Sequence, residues 1–195
     1  ALQAMAGMDG SAVRRFIEDR LFATMAKDIM DGSGRIAGNY GMHQVALLRI
    51  AAVLSHRQDS PTRAEMLDWV VGTNPDAASY VQLGLEDAVN NLLYRDGYPF
   101  ENPGYNTHWA LSLGDIVSEL GAEATAFTAM PRFRKLYTWP IRMAVAGKFS
   151  PAYGDGGNIW NGVIGWDKRV MVTGYRFYRD PMMAKSLVTH YGDAR

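Results

Sequence analysis

The chain has 195 residues, a length that suits one domain, and its 20 Lys plus Arg balance 20 Asp plus Glu. Zero net charge lacks the basic excess of a nucleic-acid binder. With 48% hydrophobic and 21% charged residues the composition is globular, not disordered, and the absence of cysteine removes disulfides, Cys-ligated zinc and cysteine nucleophiles together.

Apolar residues at Val13, Phe16, Ile17, Leu21, Met25 and Ile29 recur at spacings of three and four, which predicts a helix over 11–30. Ser11 is its expected N-cap, and Asp31-Gly32-Ser33-Gly34 ends it with positive-φ residues. A second helix is predicted over 42–56, apolar on more than one face and so buried on two sides. Ser60-Pro61 is expected to open a third, with Pro at its first position, stopping near Gly72. A fourth is predicted over 78–95. The stretch 96–106 holds two prolines and two glycines and cannot be helix interior. Its three aromatics make it an ordered loop. Helices are then expected over 107–120, 131–146, 163–178 and 181–190, with a second structured loop at 147–161. No strand alternation persists, no apolar run approaches the roughly 18 residues that span a bilayer, and the first residues lack a signal-peptide pattern. The expected class is all-α, built of antiparallel helix pairs that wrap into a solenoid or ring, with the working loops at one end.

Three loop segments join Gly or Pro backbone to chemistry-bearing side chains, and loops position most catalytic groups. They are Gly38-Asn39-Tyr40-Gly41-Met42-His43-Gln44, the stretch from Asp96 to His108, and Tyr153-Gly154-Asp155-Gly156-Gly157-Asn158. Each residue also has a plain structural role open to it. Asn39 caps a helix, Tyr40 packs its ring, and His43 is a hydrogen-bonded core histidine. Tyr105 closes a turn, Asp155 sits in one, and Glu101 is a solvated carboxylate. The four histidines, His43, His56, His108 and His190, show no metal-ligand spacing. No metal and no cofactor is expected, since neither glycine-rich loop carries a P-loop ending and no Gly-x-Ser-x-Gly occurs. Five Trp and ten Tyr hint mildly at carbohydrate, because aromatic platforms stack on sugar rings.

In combination these loops resemble the heparinase II/III-like polysaccharide lyases. Gly38 to Gln44, before an Ala/Leu-rich helix, is similar to that family's Asn-containing helix start. Asp96-Gly97-Tyr98 through Phe100-Glu101-Asn102-Pro103-Gly104-Tyr105 is similar to its Asp-Gly…Phe-Glu-x-Ser-Pro-Gly-Tyr segment, and Tyr153-Gly154-Asp155 to its Gly-Asp loop. The resemblance covers most of the chain. Asn102 stands where the family often has Ser, and Asn106 where His often follows the Tyr. What the resemblance implies is a single domain over 1–195, a central section of an incomplete (α/α) toroid. The family's β-sandwich domain and remaining toroid helices are absent from this sequence and are expected as partners.

The implied reaction is β-elimination on a uronic-acid polysaccharide. Neutralising the uronate carboxylate lowers the cost of removing the C5 proton, because developing charge then meets fixed donors. By resemblance, Asn39 donates to the carboxyl group with Tyr40 or His43 beside it, and Tyr105 is the general base, general acid or both. A phenol of ordinary pKa, about 10, is a weak base at neutral pH, so it needs a neighbouring cation or donor; His108, Arg95 or an external His are the options. Glu101, Asp155 and Tyr153 are expected to orient loops and contact substrate. Arg35, Arg95, Arg132, Arg134, Lys135, Arg142 and Lys148 are available to meet a sulfated polymer. A polymer substrate implies a periplasmic or secreted location. The alternatives are a non-catalytic helical carbohydrate-binding or scaffolding domain, a helical-repeat interaction domain, and a glycoside hydrolase using Glu101 and Asp155. A partial toroid is also expected to expose apolar faces and to self-associate.

Overall fold

Asp9, not Ser11, opens the first helix: its carboxylate accepts from the Ala12 N–H at 2.8 Å and from the Ser11 hydroxyl at 2.7 Å. An acceptor three residues ahead of a free N–H is what a helix start needs, and Asp9 holds that place. The computed structural model describes Gly7 and residues 9–32, 38–77, 79–100, 103–144 and 168–192, with 103–107, 122–123 and 190–191 described as backbone. Helix α1 runs through Gly10–Ile17, a π turn Glu18–Phe22 and Ala23–Met30. It ends as the sequence predicts, at Asp31 and a left-handed Gly32.

Helix α2 (Met42–Val53) and helix α3 (Arg63–Val71) pack side by side, with α1 against both. Helix α3 starts two residues beyond Pro61. Its cap is Thr62, whose hydroxyl accepts from the Glu65 N–H while Glu65 returns a carboxylate to the Thr62 N–H. This reciprocal pair satisfies two otherwise orphaned donors, so Pro61 is not the first helical residue.

The helix predicted over 78–95 is shorter and broken. A 3-10 turn, Tyr80–Gln82, precedes an extended Leu83 and Gly84, after which α4 runs through Leu85–Asp87 and a π turn Ala88–Leu92. The cause is tertiary. The Gln44 side-chain amide donates to the carbonyls of Val81 and Leu83, at 3.0 and 2.8 Å, and the Tyr40 hydroxyl donates to that of Gly84 at 3.3 Å. Two carbonyls that a continuous helix would use internally, those of Val81 and Leu83, are claimed by Gln44, while that of Gly84 is shared between Tyr40 and the Ala88 N–H of α4.

Residues 93–100 form an ordered loop that overlaps the predicted 96–106 over 96–100; it begins three residues earlier, and 103–106, expected to be loop, are helical. Tyr94 and Tyr98 pair through backbone at 2.9 Å, Leu92 and Phe100 at 2.8 Å, and the Asp96 carboxylate caps the turn at the Tyr98 N–H. Gly97 sits in the left-handed region, with its Cα against the Lys135 backbone, where a Cβ would stand 2.3 Å away. Among the described residues there is no β-strand; the isolated bridge is Leu93 with Pro99.

Helix α5 (Pro103–Leu120) starts four residues before the predicted Thr107. A 3-10 turn Gly121–Ala124 and a short α6 (Thr125–Ala129), neither predicted, lead to α7 (Pro131–Met143). Helix α7 carries Pro140 inside it and stops three residues before the predicted end. Helices α8 (Lys168–Tyr178) and α9 (Pro181–Tyr191) form a hairpin joined by Arg179 and Asp180. Asp180 caps α9 at the Met182 N–H and pairs with Arg134 of α7 at 2.7 Å.

The described elements therefore make an all-α fold, as expected. Helix α5 is its spine, packed on α2 on one side and on α8 on the other, with α7 and α9 behind α8. The core follows this path from Leu47 and Leu54, through Trp109, Leu113 and Ile116, to Leu136, Tyr137 and Met183. No described helix is long and apolar enough to cross a membrane. Leu21 and Met25, one turn apart on α1, are exposed.

Candidate functional site

The first loop segment meets the helix that follows the second. The start of α2 lies against α5 through the ring of Tyr40, stacked on the Trp109 indole with centroids 4.3 Å apart and planes 20° apart. Below this stack Gly41 caps α2 in the left-handed region, φ 93°, a conformation that favours glycine. A Cβ there would fall 2.1 Å from the Ser112 Cβ, so both the turn and the close helix approach require glycine. The Gly41 N–H donates to Gln44 Oε1 at 3.0 Å.

This geometry redistributes the expected roles within 38–44. Asn39 is not the cap residue; its carbonyl, at 3.3 Å from the Met42 N–H, closes the turn, and the residue is half-buried. Tyr40 is fully buried, with its hydroxyl on the Gly84 carbonyl. Burial pushes its ionisation well above the ordinary tyrosine value, with Asp87 adding to the shift. Tyr40 is thus a neutral core residue out of reach of a polymer, and its expected place beside a uronate carboxyl is corrected. His43 is buried in the first turns of α2, with Gly38 lying over its imidazole. Gln44, which the sequence reading passed over, is fully buried and uses its amide on three backbone groups. Its signal was available in principle: a Gln three residues after a Gly at a helix start can close a cap.

From the 96–108 segment, Tyr105 lies in the first turn of α5, four residues ahead of Trp109. Its side chain is outside the described residues, as are those of Glu101 and Asn102. His108 is exposed on the next turn of α5. Arg95 is exposed too, at the tip of the 93–100 loop, where its carbonyl accepts from Lys135 Nζ at 2.7 Å. An aromatic series leads from the core outwards: Tyr40, Trp109, then Tyr80 at 6.5 Å, then Phe100 at 5.8 Å, which is 55% exposed. Tyr153 and Asp155 lie outside the described residues, so the third segment is not placed.

The cations nominated for a cleft are largely engaged elsewhere. Arg132 donates to the Asn90 carbonyl, Arg134 to Asp180, and Lys135 to Arg95, so the run 132–135 ties α7 to its neighbours. Arg35 and Lys148 are outside the described residues. Among the described residues no group of three or more His, Asp or Glu could hold a metal ion.

The arrangement sets the half-buried Asn39 amide at the start of α2, where the Gly41 and Met42 N–H groups are already bonded and the His43 imidazole is buried. The first two turns of α5 stand beside them. Such a set suits binding of a carboxylate next to a proton donor or acceptor. No family model, no curated protein and no solved structure matches the chain.

Proposed function

We propose that the chain is the helical, substrate-handling part of a polysaccharide lyase that cleaves a uronic-acid polymer by β-elimination, as a section of an (α/α) toroid. The observation that carries this reading is the Tyr40–Trp109 stack, which brings the start of α2 and the first turns of α5 side by side. In this reading half-buried Asn39 faces the uronate carboxyl group, with His43 buried in the first turn of α2 behind the contact, and Tyr105 moves the C5 proton. His108, one turn along α5, favours the phenolate form. The sequence resemblance supplies the roles, and the juxtaposition of the start of α2 with α5 supports them. Remaining toroid helices and a β-sandwich complete the site, and a polymer substrate implies a periplasmic or secreted protein.

The test is absorbance of the unsaturated uronate product with alginate, heparan sulfate, hyaluronan and chondroitin, for the parent chain and for Tyr105→Phe. Product from the parent and none from the variant is expected. Product from both removes Tyr105 from the chemistry. A second reading, a non-catalytic carbohydrate-binding domain, is favoured by one observation: Phe100 is exposed at the outer end of the aromatic series. It predicts sugar binding that weakens in Phe100→Ala, with no product from any variant.

A further inference from the structure

A second concave surface lies on the other side of α5. Leu111 and Asp115 from α5 face Lys168, Arg169, Thr173 and Arg176 from α8 across a groove of about 450 Å³. That volume falls within the range of about 300–1,000 Å³ typical of small-ligand sites. The α8 residues, with Val172, are one stripe of the helix: Arg169, Val172, Thr173 and Arg176 follow Lys168 by one, four, five and eight residues. Val170, Met171 and Gly174 are buried on the opposite face, Gly174 against Tyr137. Three cations and one carboxylate line the groove, a net of two positive charges in a chain whose total is zero. All four are exposed. Leu111 and Val172 give it an apolar floor, and Thr173 and Asp115 add hydroxyl and carboxylate groups that pair with sugar hydroxyls. His108 lies three residues before Leu111 on the same stripe of α5, so the groove runs towards the first turns of that helix.

We propose that this groove is an anion-binding subsite for an acidic oligosaccharide, with Arg169 and Arg176 pairing with successive carboxylate or sulfate groups of one chain. Arginine forks fit such groups in bidentate geometry. The spacing along α8 matches a repeating charge better than a single one: seven residues at 1.5 Å rise set the two Cα atoms about 10 Å apart. The lining contains no aromatic ring. A nucleic-acid binder shows a basic excess over the whole chain, and this chain has none, so the local charge of the groove favours a short acidic polysaccharide. This inference deepens the lyase reading and rests on it for the identity of the polymer.

The experiment measures binding by calorimetry on the full chain in the Tyr105→Phe background, to avoid turnover. Hexasaccharides of alginate and hyaluronan, a neutral cellohexaose and a single-stranded DNA oligomer are compared, and Arg169→Gln/Arg176→Gln is set beside Lys168→Gln. The uronate oligomers are expected to bind, cellohexaose not. The double variant should weaken binding by about tenfold or more, the worth of one charge-assisted pair. The loss should shrink with added salt, while circular dichroism stays that of the parent. Uronate affinity that matches cellohexaose, or that the double and single variants both leave unchanged, overturns the proposal. So does tighter binding of the DNA oligomer. Failure of the lyase reading is separately visible: uronate binding that depends on α8, without unsaturated product from the parent, removes the elimination step and leaves the groove. Product with α8-independent affinity does the reverse.

Discussion

The Tyr40 ring lies 4.3 Å from the Trp109 indole and its hydroxyl reaches the Gly84 carbonyl, so one side chain joins α2, α5 and the start of α4. The stack and the hydrogen bond separate cleanly by mutation. Tyr40→Phe keeps the stack and removes one of two donors to the Gly84 carbonyl, which retains the Ala88 N–H at 3.0 Å, a cost of about 0.5–1.5 kcal/mol. Trp109→Ala removes the partner and opens a cavity, about 3–5 kcal/mol. Chemical denaturation should rank the two in that order; equal losses would mean that the hydroxyl matters as much as the ring.

The same burial fixes an alkaline response. Tyr40, Tyr137 and Tyr178 all have ionisation pushed up, in each case first by loss of water around the phenol. Below about pH 10, the ordinary tyrosine value, both folded and unfolded chains hold these protons and no stability is at stake. Above it the unfolded chain ionises and the native one does not, so stability falls as pH rises towards the folded values. Phenolate absorbance should show a group of tyrosines that ionise only together with loss of helix. A smooth titration of all ten tyrosines while helix is retained would contradict the burial.

Gly41 is both a left-handed cap and a contact point with Ser112. Gly41→Ala should therefore destabilise by more than the 1 kcal/mol or so that a left-handed alanine costs alone. Ser112→Gly in the same chain should restore the steric share and leave the backbone share. If the second substitution restores nothing, the close approach of α2 and α5 does not limit stability.

Asp180 closes α9 and pairs with Arg134, which holds its carboxyl below the usual carboxylate range, with the Met182 N–H assisting. A lowered folded value gives stability that is present above the unfolded value, about 3.9, and lost as pH falls through the folded one. Asp180→Ala should cost about 1–2 kcal/mol near neutral pH, chiefly the cap. Arg134→Ala should cost less, since that side chain is 54% exposed and such pairs are worth about 0–1 kcal/mol. The parent should lose stability in acid more steeply than Asp180→Ala; parallel acid curves would show that this carboxylate is not linked to folding.

The long periodic helices were legible because periodicity is local: Val13 to Ile29 and Pro131 to Arg142 give α1 and α7 without reference to the rest. What misled was whatever a distant residue decides. Nothing within 78–95 announces that Gln44 will take the carbonyls of Val81 and Leu83 and break the helix. Capping errors are of another kind. Asp9, and Thr62 with Glu65, carry standard local signals, overshadowed by Ser11 and Pro61 a residue or two away. In the candidate site, the resemblance implied that 38–44 and 96–108 share a cleft, and the structure places 38–44 against Trp109 and Ser112, just beyond the second segment. The inward turn of Tyr40 was open only as the plain packing role, and the α8 cations attracted no notice because a basic stripe on a helix reads as a solvated face.

The inward turn of Tyr40 supplies the sharpest functional control. Under the elimination reading Tyr105 moves the proton, Asn39 neutralises the carboxylate and Tyr40 touches no substrate. Asn39→Ala should lower kcat through lost stabilisation of developing charge, by about 10²–10³-fold for a donor of this kind, and Tyr105→Phe should abolish turnover. Tyr40→Phe, assayed at a temperature where it is folded, should retain the parent rate and KM. Unsaturated-product formation by the three variants, on the polymer that the parent cleaves, decides among these roles. A Tyr40→Phe that is folded but inactive would return that hydroxyl to the chemistry and require α2 to open during the reaction.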